Sequence, residues 1–207
     1  MPDYHIPLIP DKTYHIFSRA MDKEKLFLEE DNYRFFLRQF SKYISPVADT
    51  FAYNLLPNHF HFMIRIKNID RIYEEFLSVK KNKKFTLESA PEFVMVRFSN
   101  LLNSYTKAFN KKYSRRGGLF IDIMRRVEII DDSQFGATIF YIHKNAVHHG
   151  YCDKISEWQW SSYHSIISSA PTQLLRTEIL DWFGGVEPFR EFHKQPVYLK
   201  NAVVIDE

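Results

Sequence analysis

The sequence predicts an α+β domain. Segments rich in β-forming residues alternate along the chain with segments whose apolar residues recur at helical spacing. Two of the predicted strands are separated only by a break at Pro57 and Asn58, which indicates an antiparallel hairpin. The length of 207 residues is enough to bury a sizeable core, and it favours one domain with an extension, or two small units.

The first part of the chain is predicted to hold three strands and one helix. A run of β-forming residues predicts the first strand over residues 13–19. An apolar stripe predicts an amphipathic helix over residues 29–43, with Tyr33, Phe36 and Phe40 at positions i, i+3 and i+7. The two strands of the hairpin are expected at residues 49–56 and 59–67.

The middle of the chain is predicted to contain one long helix between two segments of other structure. The polar, lysine-rich residues 68–90 predict a loop or a solvated face. A helix is expected to follow Pro91 and to continue to about residue 113, because a proline fits the first turn of a helix. Residues 119–130 are expected to be extended.

A second helix is predicted over residues 133–149. Acidic and hydroxyl side chains before it can cap its first turn, and Gly150 fits its end. The remaining residues 151–207 are expected to be irregular, apart from a short amphipathic piece near residues 174–183.

Composition excludes several classes of protein. The net charge of +3 is only mildly basic, so any nucleic-acid surface must come from local clusters of charge. The single cysteine, Cys152, excludes an internal disulfide framework and a thiolate-rich zinc site. The sequence shows neither a signal peptide nor an apolar run of membrane-spanning length, so we expect a cytoplasmic protein without a membrane partner. An aromatic content of 16% fits an aromatic core or base stacking, and composition does not choose between them.

A pair of histidines marks the third predicted strand. Successive side chains of a strand point to opposite faces, so His59 and His61 share one face with Met63 and Arg65. The other face is wholly apolar and must face the core. Two imidazoles side by side can bind one ion, although two unrelated surface histidines would give the same pattern. Two histidines are too few for a metal site, so a third ligand must come from elsewhere.

The predicted helix 133–149 carries two stripes. One is apolar, and the other contains Thr138, Tyr141, Asn145 and His148. Tyr141 and Asn145 are four residues apart and therefore lie one turn from each other. A tyrosine can attack a phosphodiester, and an amide oxygen can complete a divalent metal site with the two histidines. Spacing alone favours the simpler interpretation of a boundary phenol and a solvated amide.

Together these segments resemble a known family. The run LLPNHFHFMI at residues 55–64 looks like the HUH motif (histidine, bulky apolar residue, histidine) of the single-tyrosine transposases. Residues 14–19 resemble their first strand. Residues 141–150 and the cluster WQWSSY at residues 158–163 are similar to the branch called REP-associated tyrosine transposases. The resemblance covers about residues 10–165, and the motifs occur in the expected order and spacing.

The resemblance implies specific roles. His59 and His61 match the metal ligands, Tyr141 matches the nucleophile, and Asn145 matches the third ligand, which is glutamine in some relatives. The family uses Mg²⁺ or Mn²⁺ to nick single-stranded DNA beside a folded hairpin, and it forms a 5′-phosphotyrosine and a free 3′-OH. The implied fold is an α+β antiparallel sheet with packed helices, of the ferredoxin-like HUH endonuclease type. Many members act as dimers, so a homodimer is allowed. Residues 1–165 would form this domain and residues 166–207 an extension of unknown role.

The sequence departs from this branch in one place and offers competing tyrosines. Where the branch commonly has Asn-Pro after the tyrosine, this chain has Asn145 followed by Ala146, which suits a helix interior better. Tyr105 and Tyr113 precede Tyr141, but neither has a ligand-type residue one turn on. Tyr141 is therefore the predicted nucleophile.

Local basic clusters are the candidate DNA contacts. Phosphate contacts supply most non-specific affinity, and glycines beside arginines let the backbone approach a phosphate. A solvated surface explains each cluster equally well. The residues assigned to DNA are Arg19, Lys111, Lys112, Arg115, Arg116, Arg125 and Arg126, and the lysines of residues 80–84 form a further cluster. Tyr113 and Phe120 could stack on bases beside them.

Three hypotheses remain open at this point. The first is a metal-dependent DNA strand transferase that uses Tyr141. The second is a domesticated or inactive relative that only binds hairpin DNA or RNA. The third is a small-molecule metalloenzyme whose histidine pair arose by convergence, for which failure to bind nucleic acid at low salt would be the evidence.

Overall fold

The computed structural model describes residues 3–79 and 84–195. Lys80, Lys81 and Lys83 of the predicted basic cluster, and the end of the predicted C-terminal extension, lie outside the described residues. The strands are β1 (Thr13–Arg19), β2 (Ala48–Leu56), β3 (His59–Ile66) and β4 (Arg125–Ile129). The helices are α1 (Glu30–Tyr43), α2 (Ile69–Val79), α3 (Ala90–Lys112), α4 (Asp132–His148), α5 (Tyr163–Ile167), α6 (Arg176–Phe183) and α7 (Val186–Phe192).

The four strands form one antiparallel sheet in the order β2-β3-β1-β4. The predicted hairpin is confirmed, because β2 pairs with β3 directly across Pro57 and Asn58. The central pair β1–β3 places Phe17 opposite His61 and Arg19 opposite His59. An α+β fold with an antiparallel sheet and packed helices is therefore what this sequence adopts.

A hydrophobic core lies on each face of the sheet. The predicted alternation in β3 is confirmed, because its apolar face packs against α1 and α3 in the larger core through Phe60, Phe62, Ile64 and Ile66. The opposite face, which carries the histidine pair, is covered as well. Met63 is fully buried there, and His61 is only 4% exposed, because α4 and the C-terminal helices form a second core over it.

Helix α4 begins and ends where local chemistry predicts. The Asp131 side chain accepts a hydrogen bond from the backbone N–H of Gln134 and so caps the first turn. At the other end Gly150 has a φ of +70°, a conformation that favours glycine, and its N–H donates to the carbonyl of Val147. These two ends fix which side chains α4 presents to the sheet.

Three segments differ from the sequence-based expectations. Residues 68–90 were expected to be a loop or solvated face, but α2 forms there because Ile72 and Phe76 reach the larger core. The expected extended segment 119–130 pairs as a strand only at β4. The short amphipathic piece expected near residues 174–183 is confirmed as α6. The rest of residues 151–195 is not irregular throughout, because α5 and α7 bury Ile166 and Phe189 in the second core. No helix in either described stretch is long and apolar enough to cross a membrane.

Candidate functional site

Four predicted site residues meet where α4 crosses the sheet near the N-terminal end of β3. His59 and His61 project from β3, while Tyr141 and Asn145 project from α4. The ring centroids of His59 and His61 lie 5.1 Å apart. Asn145 contacts His59, and Tyr141 contacts His61. The structure therefore brings the predicted ligands and nucleophile together within a single chain.

The imidazole of His59 lies between two amide oxygens. Its Nδ1 is 2.8 Å from Oδ1 of Asn58, and its Nε2 is 2.9 Å from Oδ1 of Asn145. A neutral imidazole has only one N–H, so it can donate to only one of these oxygens. With the amides in this orientation, the other nitrogen presents a lone pair to an amide oxygen. A nitrogen lone pair and an amide oxygen repel each other at this distance unless a proton or a cation binds both.

The same contact fits a divalent cation. Adjacent ligands of an octahedral ion with bonds of about 2.1 Å lie about 3 Å apart, which matches the separation of His59 Nε2 and Asn145 Oδ1. The amide nitrogen of Asn145 is buried and lacks a hydrogen-bond partner in the described part of the chain, which costs free energy. A cation bound by the amide oxygen would hold the amide in this orientation in spite of that cost. Two imidazoles and one amide oxygen are a donor set that a Mg²⁺ or Mn²⁺ ion can accept.

Carboxylates and thiols do not build a separate metal centre within residues 3–79 and 84–195. Among the residues that the structure describes, no three or more His, Cys, Asp or Glu side chains are grouped so that they could hold a metal ion. The predicted set differs because its third ligand, Asn145, is an amide. Its use as a metal site stays a prediction.

His61 is held by two aromatic neighbours on β1. Its Nδ1 is 3.0 Å from Nε2 of His15, and the two rings stack at 5.1 Å. Phe17 stacks on the same ring at 5.9 Å. Burial, together with the nearby imidazoles of His59, His15 and His149, lowers the pKa of His61 well below its usual value. His61 is therefore neutral at physiological pH, which is the form that binds a metal.

Tyr141 lies edge-on against the histidines. Its ring centroid is 5.5 Å from that of His61 and 5.8 Å from that of His15. The residue is only 5% exposed, but it lines a cavity of about 310 Å³. The other residues that line this cavity are Phe17, Ser18, Arg19, Asn58, His59, Phe60, His61, Ile121, Asp122, Arg125, His148 and His149. The cavity therefore gives access to the side chain of Tyr141.

The competing tyrosines are occupied elsewhere. The hydroxyl of Tyr105 is buried and donates to the carbonyl of Leu26, and burial raises its pKa. The hydroxyl of Tyr113 donates to a carboxylate oxygen of Glu29 at 2.6 Å. Neither tyrosine lines the cavity.

Two of the residues assigned to DNA lie at the cavity and the others do not. Arg19 and Arg125 line it. Lys112 pairs with Glu29, and Arg115 pairs with Glu24. Lys111 is exposed in the last turn of α3, and Arg116 is exposed on the segment that follows α3. Phe120 and Tyr113 pack against the larger core rather than presenting open faces.

The structure contradicts the assignment of Arg126 to DNA. Arg126 is only 6% exposed, and its guanidinium donates to the backbone carbonyls of His5, Ile6 and Met124. These bonds tie the N-terminal segment to β4. Arg126 therefore has a structural role, whereas its neighbour Arg125 lines the cavity.

Sequence reasoning missed part of the site. His15 and Phe17 support His61, and alternation along β1 does place them on one face, but only the strand register brings that face to His61. Exposed aromatic side chains also extend outward from His59. The ring of His149 is 4.8 Å from that of His59, and Tyr151, 41% exposed, is 5.7 Å from Trp158. The Tyr151 hydroxyl donates to Asn58 at 3.4 Å, so Tyr151 contacts a residue that lines the cavity.

Comparison with known proteins confirms the resemblance. No family profile matches the chain. A protein of Haemophilus influenzae, provisionally named a REP-associated tyrosine transposase, is 26% identical over 119 residues, which are 56% of this chain and 59% of that protein. The chain thus spans less than two thirds of this relative. A solved structure, described as the REP-associated tyrosine transposase bound to a REP hairpin, matches 83% of this chain and 89% of its own length, with a TM-score of 0.60 and 16% identity. The two proteins share a fold.

Proposed function

We propose that this chain is a metal-dependent DNA transposase and endonuclease that nicks and rejoins hairpin-forming single-stranded DNA. The observation that carries the proposal is the meeting of His59, His61 and Tyr141 at one cavity, with Asn145 in contact with His59. The similarity in sequence to a protein named as a transposase, and in fold to a transposase bound to a hairpin, supports the same reaction class.

The proposed reaction is a transfer of a phosphoryl group to tyrosine. The Tyr141 hydroxyl loses its proton to solvent, and its oxygen attacks the phosphorus of the scissile phosphodiester. The bond between phosphorus and the 3′ oxygen breaks, and the 3′ oxygen takes up a proton from solvent, which leaves a free 3′-OH and a 5′-phosphotyrosine. Rejoining is the reverse: a 3′-OH attacks the phosphotyrosine and releases the phenol. No external source of energy is needed, because one phosphoester bond is exchanged for another.

His59, His61 and Asn145 would hold the divalent cation, Mg²⁺ or Mn²⁺. Bound there, the ion would neutralise charge on the phosphate in the transition state. The chain's own contribution is to orient the ligands: Asn58 fixes one nitrogen of His59, and burial keeps His61 neutral. Arg19 and Arg125 would bind neighbouring phosphates at the cavity.

Tyr141 is proposed to act on a phosphate held by its own chain. Its ring contacts His61 of the same chain, so no partner subunit is needed to complete the site. A mixture of Tyr141→Phe and His61→Ala proteins tests this. Action within one chain predicts no recovery of cleavage, whereas recovered cleavage would show that a homodimer exchanges its nucleophiles. The homodimer and the cytoplasmic location stay predictions.

The central test is a covalent adduct with DNA. Palindromes in the DNA that flanks the gene supply hairpin oligonucleotides, which are labelled at the 3′ end because this end stays with the protein. With Mn²⁺, we expect an adduct that resists denaturation and is lost in Tyr141→Phe. The matched control is Tyr113→Phe, since Tyr113 lies outside the cavity and this variant should retain the adduct.

Two outcomes would contradict the proposal in different ways. An adduct that persists in Tyr141→Phe would mean that another residue is the nucleophile. Tight binding of hairpins with no adduct under any tested metal would favour a relative that binds nucleic acid without cutting it.

A further inference from the structure

His15 is a fully buried polar residue at the centre of the sheet. It lies on β1 next to β3, and its Nε2 is 3.0 Å from Nδ1 of His61. Its other nitrogen, Nδ1, is buried and has no hydrogen-bond partner among residues 3–79 and 84–195. An apolar side chain of similar shape would avoid this cost, so stability does not account for a histidine here.

The contact with His61 defines which nitrogen His61 can offer. Because Nδ1 of His61 faces His15, Nε2 is the nitrogen left for a ligand. To bind a cation through Nε2, His61 must carry its proton on Nδ1. That proton needs an acceptor in a buried place, and Nε2 of His15 lies at the right distance. His15 thereby offers the acceptor that the metal-binding tautomer of His61 requires.

The ring contacts fix the orientation of His61 as well. His15 and Phe17 both stack on the His61 ring, at interplanar angles of 29° and 22°. Phe17 contributes only its surface to this contact. His15 contributes a surface and an acceptor, so the two neighbours can be separated by substitution.

We infer that His15 is a positioning residue that orients His61, and fixes its tautomer, for binding of a divalent cation. The inference rests on the proposed function, because it assigns His15 to the same site. His15 is not itself a ligand in this proposal, because its Nε2 faces His61 and its Nδ1 is buried. Loss of such a partner to a metal-binding histidine typically weakens metal affinity by about 10- to 100-fold.

The experiment measures Mn²⁺ affinity directly, by calorimetry or electron paramagnetic resonance, without DNA. His15→Phe keeps the ring and removes the acceptor, and we expect the dissociation constant for Mn²⁺ to rise about 10- to 100-fold. We expect its thermal stability to be unchanged or higher, because an unpartnered buried nitrogen is removed. His15→Gln restores an acceptor near the position of Nε2 and should recover part of the affinity.

The control is Tyr14→Phe, in the neighbouring buried position of β1 whose side chain faces the other core. It should leave Mn²⁺ affinity unchanged. Wild-type affinity in His15→Phe, with binding abolished in His61→Ala, would overturn the inference and leave the proposed function intact. Weakened affinity in His15→Gln equal to that in His15→Phe would also overturn the tautomer argument. Absence of Mn²⁺ binding by the unaltered protein would overturn the proposed metal site and this inference with it.

Discussion

His143 of α4 and His193, at the end of α7, share a buried hydrogen bond of 2.9 Å between Nδ1 and Nε2. The other nitrogen of His143 bonds the Ser162 hydroxyl at 2.7 Å, and the other nitrogen of His193 bonds the carbonyl of Phe189 at 2.8 Å. A continuous buried chain of hydrogen bonds thus connects the helix that carries Tyr141 to the C-terminal helices. Helices α5, α6 and α7 therefore support the site through α4 without lining the cavity.

Acid should weaken this connection. Burial lowers the pKa of His193 to about 4, and the histidine and tyrosine rings of His143 and Tyr163 pack against it. The unfolded chain, with a histidine pKa near 6.5, binds more protons than the folded chain between about pH 6.5 and 4. Stability is therefore full above pH 6.5 and falls as the pH drops, by about 3 kcal/mol from His193. Thermal unfolding across this range measures the effect. His193→Gln keeps a partner for His143 but does not titrate, so it should lose less stability as the pH falls. An equal loss of stability in this variant would show that other groups cause the pH dependence.

Adjacent arginines should give opposite phenotypes. Arg125→Gln should weaken binding of hairpin DNA and lower the slope of log affinity against log salt by about 0.7–1, with no change in stability. Arg126→Gln should lower the free energy of unfolding by about 3 kcal/mol, because three carbonyls lose a charged donor. Salt-dependent binding and denaturant unfolding measured on both variants decide the matter. If both variants fold and lose the same DNA affinity, the assignment of DNA binding to Arg125 and of stability to Arg126 is wrong.

Tyr151 should contribute to binding of unpaired bases. It is exposed beside the cavity, and its ring adjoins Trp158. Stacking of one base on an aromatic side chain is worth about 1–3 kcal/mol, so Tyr151→Ala should weaken single-stranded DNA binding by roughly 5- to 150-fold. Tyr73 on α2 is 44% exposed and lies outside the cavity, which makes Tyr73→Ala the matched control. Fluorescence anisotropy compares the two, and equal affinities would argue that Tyr151 meets no base.

The sequence predicted those parts of the molecule that depend on local pattern. Alternation in β3 correctly separated the face of His61 from that of Phe62, and the motif order placed Tyr141 and Asn145 on one helix. The role of His15 depends on how β1 pairs with β3, which no local pattern reveals. Arg126 was misassigned because a run of basic residues does not show which of them is buried. Helix α2 was obscured by the lysines that follow it, although Ile72 and Phe76 carry helical spacing.

The outward edge of β2 is already paired, and this has a consequence for assembly. The N–H and carbonyl of Tyr53 bond Ser162, those of Leu55 bond Trp160 and the Trp158 indole, and the carbonyl of Thr50 accepts from Leu175. An open edge strand is a template for a second chain, through strand addition, domain swapping or fibril growth. Here the chain's own residues 158–175 occupy that template. The segment that follows α4 thus covers the edge of β2 and prevents strand addition there by other copies of the protein.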